Sequence, residues 1–461
     1  MPILAAYMVP HPPMILPQIG RGQEEQINET IQAYDRVADE IAELKPETII
    51  ITSPHSIMYA DYFHISPGKK AKGSFAMFGA GKVKFEETYD EDLADQISGL
   101  AVEEGFPVGT LGERDPKLDH GTMVPLWFIR KKYDGFKLIR IGLSGLPLTD
   151  HYHLGQIIAK AVELTGRKAV LVASGDLSHK LQDYGPYGFA PEGPVYDDRI
   201  MDVCSRGDFG ELFEFDENFC EKAAECGHRS FVIMAGALDG RTVDARKLSH
   251  QDVTGVGYGI CTFHPGGEDE SRRFLDAYLA DKEQRLSRQR EKSDDYVKLA
   301  RASLESYISR GEVLEIPGNL PAEMMKEKAG VFVPIHKHGK LRGCIGTIEP
   351  TRKCIAKEII ENAISASTRD PRFEPITEEE LKWLEINVDV LGKPEKIASK
   401  KELDVKRYGV IVSSGYRRGL LLPDLEGVDS VDQQVAIAMQ KGGIREGEKY
   451  TLERFEVIRH I

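Results

Sequence analysis

Four apolar runs punctuate the first part of the chain, at residues 3–9, 48–52, 138–143 and 168–173. Runs of this length, rich in Ile, Val and Ala and ended by Pro or Ser, predict buried strands. Between them the apolar period lengthens to that of a helix. Residues 23–44 carry Ile27, Ile31, Tyr34, Ala38, Ile41 and Ala42 on one face, and residues 91–104 and 150–164 are helical in the same way. Strand alternating with helix predicts an α/β domain with a central, mostly parallel sheet and helices on both faces. Residues 62–87, with Gly68, Gly73, Gly79 and Gly81, predict hairpins. They hold no phosphate loop, because Gly81-Lys82 runs on into Val83.

An apolar helix with Trp127 and Phe128 follows Asp119-His120-Gly121. After the fourth strand come helical pieces through Cys220, the turn Ala224-Glu225-Cys226-Gly227-His228, a helix to about residue 238 and two strands ending near Phe263. The glycines from Gly255 to Gly259 fall in the second of these strands and read as close strand packing. His228 opens a helix and reads as a packing or capping residue.

The pattern changes at Gly266. Residues 266–292 are charged and helix-prone, with Arg272, Arg273, Arg285, Arg288 and Arg290 among acids, and predict a solvated connector between domains 1–265 and 293–461. Ser293 is the predicted N-cap of a helix with Tyr296, Leu299, Ala300, Leu304, Tyr307 and Ile308 on one stripe. Strands at 330–335, 384–391 and 409–413 and helices at 355–367 and 431–441 complete a smaller α+β domain.

Composition narrows the function. Across 461 residues, 60 basic and 74 acidic side chains leave a net charge of −14, which argues against broad contact with nucleic acid or anionic lipid. Six cysteines without a Cys-x-x-Cys pair suit a reducing cytoplasm rather than a disulfide scaffold. No apolar run approaches the roughly 18 residues of a membrane span, and the start of the chain lacks the pattern of a signal peptide. A soluble cytoplasmic protein is expected.

The chemistry gathers where the apolar runs stop. His11 lies between Pro10 and Pro12, His55 follows Ser53-Pro54, His120 follows Asp119, and His179 closes Ser174-Gly175-Asp176-Leu177-Ser178-His179. Neutral imidazoles from separate strand ends can converge on a divalent metal, and two of them with one carboxylate make the facial triad of non-haem iron enzymes. Glu225 is the candidate carboxylate.

Together these motifs and the Glu225-Cys226-Gly227 turn resemble the class III extradiol ring-cleavage dioxygenases, the family of the protocatechuate 4,5-dioxygenase catalytic subunit, over residues 1 to about 264. The resemblance implies that His11, His55 and Glu225 bind Fe(2+), that His179 is the acid/base and that His120 positions a small aromatic substrate. The same stretch is similar to the Memo family, which implies a third histidine and a cysteine at the metal, matching His179 and Cys226. Both Glu225 and Cys226 are present, so both branches stay open.

In the C-terminal part, Leu341-Arg342-Gly343-Cys344-Ile345-Gly346-Thr347 resembles the signature of the AMMECR family, with Arg369-Asp370-Pro371-Arg372-Phe373, Gly419 to Pro423 and Asp432-Gln433-Gln434 in support. From the residues alone, Arg342, Arg369 and Arg372 with Cys344 make either a small anion or thiol site, or a tight turn with a buried Cys and ion-paired arginines. His336 and His338 read as solvated at a strand end. The whole arrangement resembles the fused component of the AmmeMemoRadiSam system, which implies a radical S-adenosylmethionine protein as partner; a homo-oligomer is compatible with it. Two functions follow as expectations. One is an iron(II)-dependent oxidoreductase acting on a catechol-like or other chelating aromatic. The other is a metal-binding partner or scaffold of the radical enzyme without ring cleavage.

Overall fold

The computed structural model describes residues 3–425 and 427–461. The four apolar runs are strands β1 (Ile3–Val9), β2 (Thr48–Ser53), β3 (Lys137–Gly142) and β4 (Ala169–Ser174), joined in one sheet by β5 (Arg241–Gln251) and β6 (Tyr258–Glu268). The order is β3-β2-β4-β1-β6-β5. The first four strands are mutually parallel, while β6 runs antiparallel to β1 and β5 antiparallel to β6. This is the mostly parallel sheet expected.

The sheet is continuous in its apolar residues because both faces are covered. Ala6, Met8, Ile50, Ile139 and Leu171 face one core, with helices Glu91–Glu104, Leu148–Thr165, Glu192–Arg206 and His228–Ala237. Their neighbours Ala5, Tyr7, Ile49, Ile51 and Val170 face a second core, with helices Asn28–Leu44 and His120–Arg130.

Local differences from the sequence reading have simple causes. Residues Gln23–Ile27 form a 3-10 turn ahead of the helix Asn28–Leu44, since this acid-rich piece buries Ile27 alone. Gly255 and Gly257 precede β6 instead of lying inside it. The packing reading holds for Gly257, where a Cβ would sit 1.9 Å from Asp197 Oδ2. Of the predicted connector 266–292, the first residues end β6, Glu270–Arg272 form a 3-10 turn, and Phe274–Lys292 form a helix in which Leu275 and Leu286 are buried. The chain divides between Leu279 and Ala280 into two units. The N-cap of the helix Asp295–Arg310 is Asp294, not Ser293. Asp294 Oδ1 accepts from Tyr296 N and Val297 N at 3.0 and 3.1 Å, and a carboxylate suits a helix N-terminus better than a hydroxyl. Ser293 Oγ instead donates to Gln289 O.

The second unit is built on an antiparallel eight-stranded sheet. Its strands are β7 (Val331–Lys337), β8 (Lys340–Gly346), β9 (Leu384–Ile386), β10 (Val388–Leu391), β11 (Glu395–Ile397), β12 (Tyr408–Ser414), β13 (Arg417–Leu421) and β14 (Thr451–His460). The main path is β8-β7-β10-β14-β12-β13, with β9 beside β7 and β11 beside β14. Helices Asp295–Arg310 and Ile355–Thr368 bury their apolar stripes against β7 and β10, and the helix Val431–Lys441 covers β12 and β13. His338 is not on a strand. It and Gly339 carry φ of 54° and 75° in the two-residue turn between β7 and β8. Nor is it solvated: its Nδ1 is 2.9 Å from Lys282 Nζ, and burial lowers its pKa to about 4.

Glu380 ties this unit together. It receives Arg342 Nη2 and Nε at 2.9 and 3.0 Å and Lys337 Nζ at 3.0 Å. Burial raises its carboxyl pKa, but the Arg342, Thr377 and Lys337 bonds outweigh it and hold the group at about 2. A depressed acid stabilises the fold above its unfolded pKa and loses that contribution as pH falls through the folded one. Glu380→Gln is therefore expected to cost roughly 2 kcal/mol at neutral pH. In urea melts the difference from the parent should vanish between pH 4.5 and about 2.

No helix among the described residues is long and apolar enough to cross a membrane.

Candidate metal centre

Parallel strands deliver their C-terminal ends to one edge of a sheet, and β4 lies between β1 and β2. Val9 pairs with Ser174, and Thr52 with Ala173. His11, two residues beyond β1, is 1% exposed. Its backbone N donates to Asp176 Oδ1 at 2.7 Å, and Tyr34 donates its hydroxyl to Pro10 O, so the Pro-His-Pro segment is held from both sides. His11 Nδ1 lies 3.0 Å from Ser174 Oγ, which donates its own proton to Gly121 O at 2.6 Å. With that hydroxyl proton committed, Ser174 accepts from His11 Nδ1–H, and the lone pair of His11 is left on Nε2.

His11 Nε2 faces His55 Nε2 at 3.0 Å and Cys226 Sγ at 3.6 Å. His55 comes from the turn after β2, where its backbone N donates to Ser53 Oγ; Ser53 Oγ in turn donates to Asp119 Oδ1 at 2.6 Å. Cys226 arrives from a distant segment because two glycines touch. A Cβ on Gly175 would lie 2.1 Å from Gly227 Cα, so the end of β4 and the turn before the helix His228–Ala237 come together backbone to backbone. Asp176 N then donates to Cys226 Sγ at 3.3 Å. Donor atoms of His11, His55 and Cys226 all lie within 4.8 Å of one another.

The other candidates sit around this group. His120 is the first residue of the helix capped by Asp119, whose Oδ1 accepts from Thr122 N at 2.9 Å. Its ring lies 4.0 Å from that of His55 and 5.4 Å from that of His11, with Phe78 edge-on at 5.5 Å. His179 carries a buried Nε2 without a hydrogen-bond partner, and Tyr187 stacks on it at 5.1 Å.

Glu225 is not part of the cluster. Ala224 has φ +54°, and after this left-handed turn the Glu225 carboxylate accepts from His228 N at 2.6 Å, capping the helix His228–Ala237. Cys226 takes the position that the sequence reading gave to the carboxylate. His228 commits its ring to Leu212 O at 3.0 Å and Tyr196 OH at 3.3 Å, in keeping with packing.

Burial sets the charge states. It drives the His11 pKa well below the usual imidazole value, with His55, His120 and His179 adding repulsion, and it lowers His55 as well. Burial and the His55 ring hold His120 and His179 near 4. All four rings are neutral at pH 7, the form that ligates metal. Burial, Asp176 and Glu225 push the Cys226 thiol up, so binding a cation there releases a proton. Asp176 itself is raised by burial to about 7. Two free imidazole nitrogens and one thiol form a donor set that fits a divalent transition metal.

Residues 5–261 match the family described as the catalytic LigB subunit of aromatic ring-opening dioxygenase, and residues 297–460 match AMMECR1. A protein of Clostridium acetobutylicum is 41% identical over 463 residues, covering 98% of this chain and 98% of its own. The chain belongs to the LigB family, with an AMMECR1 domain following. A Thermotoga maritima protein is 48% identical over 168 residues, which is 35% of this chain and 97% of its own. Among solved structures, an uncharacterized protein from Pyrococcus horikoshii shares 32% identity over 37% of this chain and 90% of its own, with a TM-score of 0.35.

Within the LigB domain, sequence reasoning named His11, His55, His120 and His179 but overlooked what Ser174, Asp119 and Asp176 do. Asp119 was readable, since an Asp before an apolar helix is an N-cap signal. In the AMMECR1 domain the ion-pairing reading holds for two of the arginines: Arg342 pairs with Glu380 and Arg372 with Asp370 at 2.7 Å. Asp370 Oδ2 also accepts from Cys344 N at 2.9 Å.

Proposed function

We propose that the LigB domain is an iron(II) oxidoreductase acting on a catechol-like or other chelating aromatic, with the metal held by His11, His55 and Cys226. The observation that carries this reading is the convergence of their donor atoms within 4.8 Å at the strand ends of a LigB-family domain. Bound there, Fe(2+) would supply one-electron redox chemistry and open positions for a chelating ligand. Ser174 fixes the His11 tautomer, and Asp119 anchors both the His55 turn and the helix that begins at His120. His179 takes and returns the proton of an aromatic hydroxyl, and His120 positions the substrate. An imidazole with a pKa near 4 is a weak base alone, and an anionic ligand beside it raises it toward neutrality. Tyr187 and Phe78 offer aromatic surfaces next to these two rings.

The test is oxygen uptake and ring opening by anaerobically purified, iron-loaded protein against a panel of catechols. Under the same assay His179→Gln is expected to keep iron and lose about 10²- to 10⁴-fold in turnover. Iron lost from His179→Gln would instead make its orphaned Nε2 a ligand.

The thiol in place of a carboxylate favours a second reading, a metal-binding partner of a radical S-adenosylmethionine protein. Loaded protein that consumes no oxygen with any catechol would sink the first reading. The second then predicts metal-dependent co-purification with the radical enzyme.

A further inference from the structure

The AMMECR1 domain contains a cleft of about 590 Å³ with an apolar wall that includes Phe332, Pro334, Ile348, Leu420 and Leu422. This volume is in the range that encloses small ligands. Among the described residues, four cations line it, Arg372, Arg418, Lys441 and Arg459, against one acid, Asp389. The three arginines are already committed. Arg459 Nε donates to Asp389 Oδ1 at 2.8 Å, Arg372 pairs with Asp370 at 2.7 Å, and Arg418 pairs with Glu349 and with Glu453 at 3.2 Å. Lys441, in the last turn of the helix Val431–Lys441, has no carboxylate or hydrogen-bond partner among the described residues, and neither does the side-chain amide of Asn387 on the same cleft.

A cation at a helix C-terminus needs no ligand to explain it. Lys441 is exposed and so hydrated while the cleft is empty, but it shares the cleft with a half-buried amide that has no partner among the described residues and with an extended apolar wall. A dianion such as phosphate calls for several free donors or an open guanidinium fork; the forks of Arg372 and Arg459 and both Nη groups of Arg418 are spent on carboxylates, which leaves only Arg418 Nε. A single uncommitted positive charge beside a wide apolar surface matches a monoanion with an apolar body.

We propose that this cleft binds a small organic carboxylate, its charge met by Lys441 and Asn387 and its apolar body lying on Phe332, Leu420 and Leu422. Cys344 lines the same cleft and serves as a reporter of occupancy. Arg372 Nη2 donates to Cys344 O at 3.3 Å, and the charges of Arg372 and Lys441 act on a thiol that burial keeps protonated. The inference is independent of the metal centre.

The experiment uses the full chain, benzoate as probe, and iodoacetamide labelling of Cys344 read by peptide mass, with calorimetric titration alongside. Millimolar benzoate is expected to slow Cys344 labelling saturably, benzamide to bind about tenfold more weakly, and inorganic phosphate to give no protection. Lys441→Met should weaken benzoate about tenfold, while Lys441→Arg retains it. Absence of protection, equal protection by benzamide or phosphate, or unchanged benzoate affinity in Lys441→Met would each overturn the proposal. The comparison of benzoate with benzamide on the parent chain decides the matter even if a variant fails to fold.

Discussion

Cys226→Ala is expected to empty the metal centre, while Glu225→Ala leaves it loaded. Cys226 Sγ lies 3.6 Å from His11 Nε2, inside the group of donors that converge. Removing it takes away the one ligand that becomes anionic on binding, so the remaining imidazoles would hold a cation without charge compensation. The loss in affinity should be on the order of 100-fold or more, since even residues that merely orient a ligand cost 10- to 100-fold. Glu225 acts elsewhere. Its carboxylate accepts from His228 N, and losing such a cap costs about 1 kcal/mol, visible as a slightly lower melting temperature. Competition with a chromogenic chelator, with elemental analysis of each variant, separates the two. Iron retained in Cys226→Ala and lost in Glu225→Ala would restore the carboxylate triad and require the turn at Ala224 to be reorganised.

That turn marks where the sequence stopped being legible. The apolar runs announced β1 to β4 because strands buried on both faces need no alternation, and the prolines and serines after β1 and β2 flagged His11 and His55 as strand-exit residues. Choosing between Glu225 and Cys226 required one dihedral angle. The φ of +54° at Ala224 sends the first side chain to the helix N-terminus and leaves the second to face His11. An alanine gives no hint of a left-handed conformation. The strands β8, β13 and β14 escaped notice for another reason. β8 and β14 interleave Lys, Arg or Glu with apolar residues, β14 is half-exposed, and β13 opens on two arginines and leaves only Gly419, Leu420 and Leu421 as a short apolar end. Ion pairing of Arg342 and Arg372 followed from the acid-rich composition, whereas three of the four cations that line the cleft, Arg418, Arg459 and Lys441, come from β13, β14 and the helix Val431–Lys441, far from the signature motif.

Gly175→Ala is expected to damage the centre almost as much as losing a ligand, although Gly175 binds nothing through a side chain. Its added Cβ would fall 2.1 Å from Gly227 Cα and 3.0 Å from Gly227 N. Both are backbone atoms, so no side chain can swing away, and the Cys226-Gly227 turn must retreat from the end of β4 by an ångström or more. Overpacking of this kind costs about 1–3 kcal/mol, and a metal site tolerates displacements of about 0.5 Å. Metal affinity should therefore fall by one to two orders of magnitude while the cooperative unfolding transition survives at lower temperature. Gly227→Ala should be milder, because its Cβ meets first a side-chain atom, the tip of the buried Phe231 ring at 2.4 Å, and backbone only at Asp176 O, 3.0 Å away. Gly99→Ala supplies the contrast. Nothing lies within 4 Å of a Cβ there, the residue is exposed inside the helix Glu91–Glu104, and alanine should stabilise by about 0.5–1 kcal/mol with metal binding untouched. If Gly175→Ala bound metal as tightly as the parent chain, the contact between the two glycines would not be what brings Cys226 to His11 and His55.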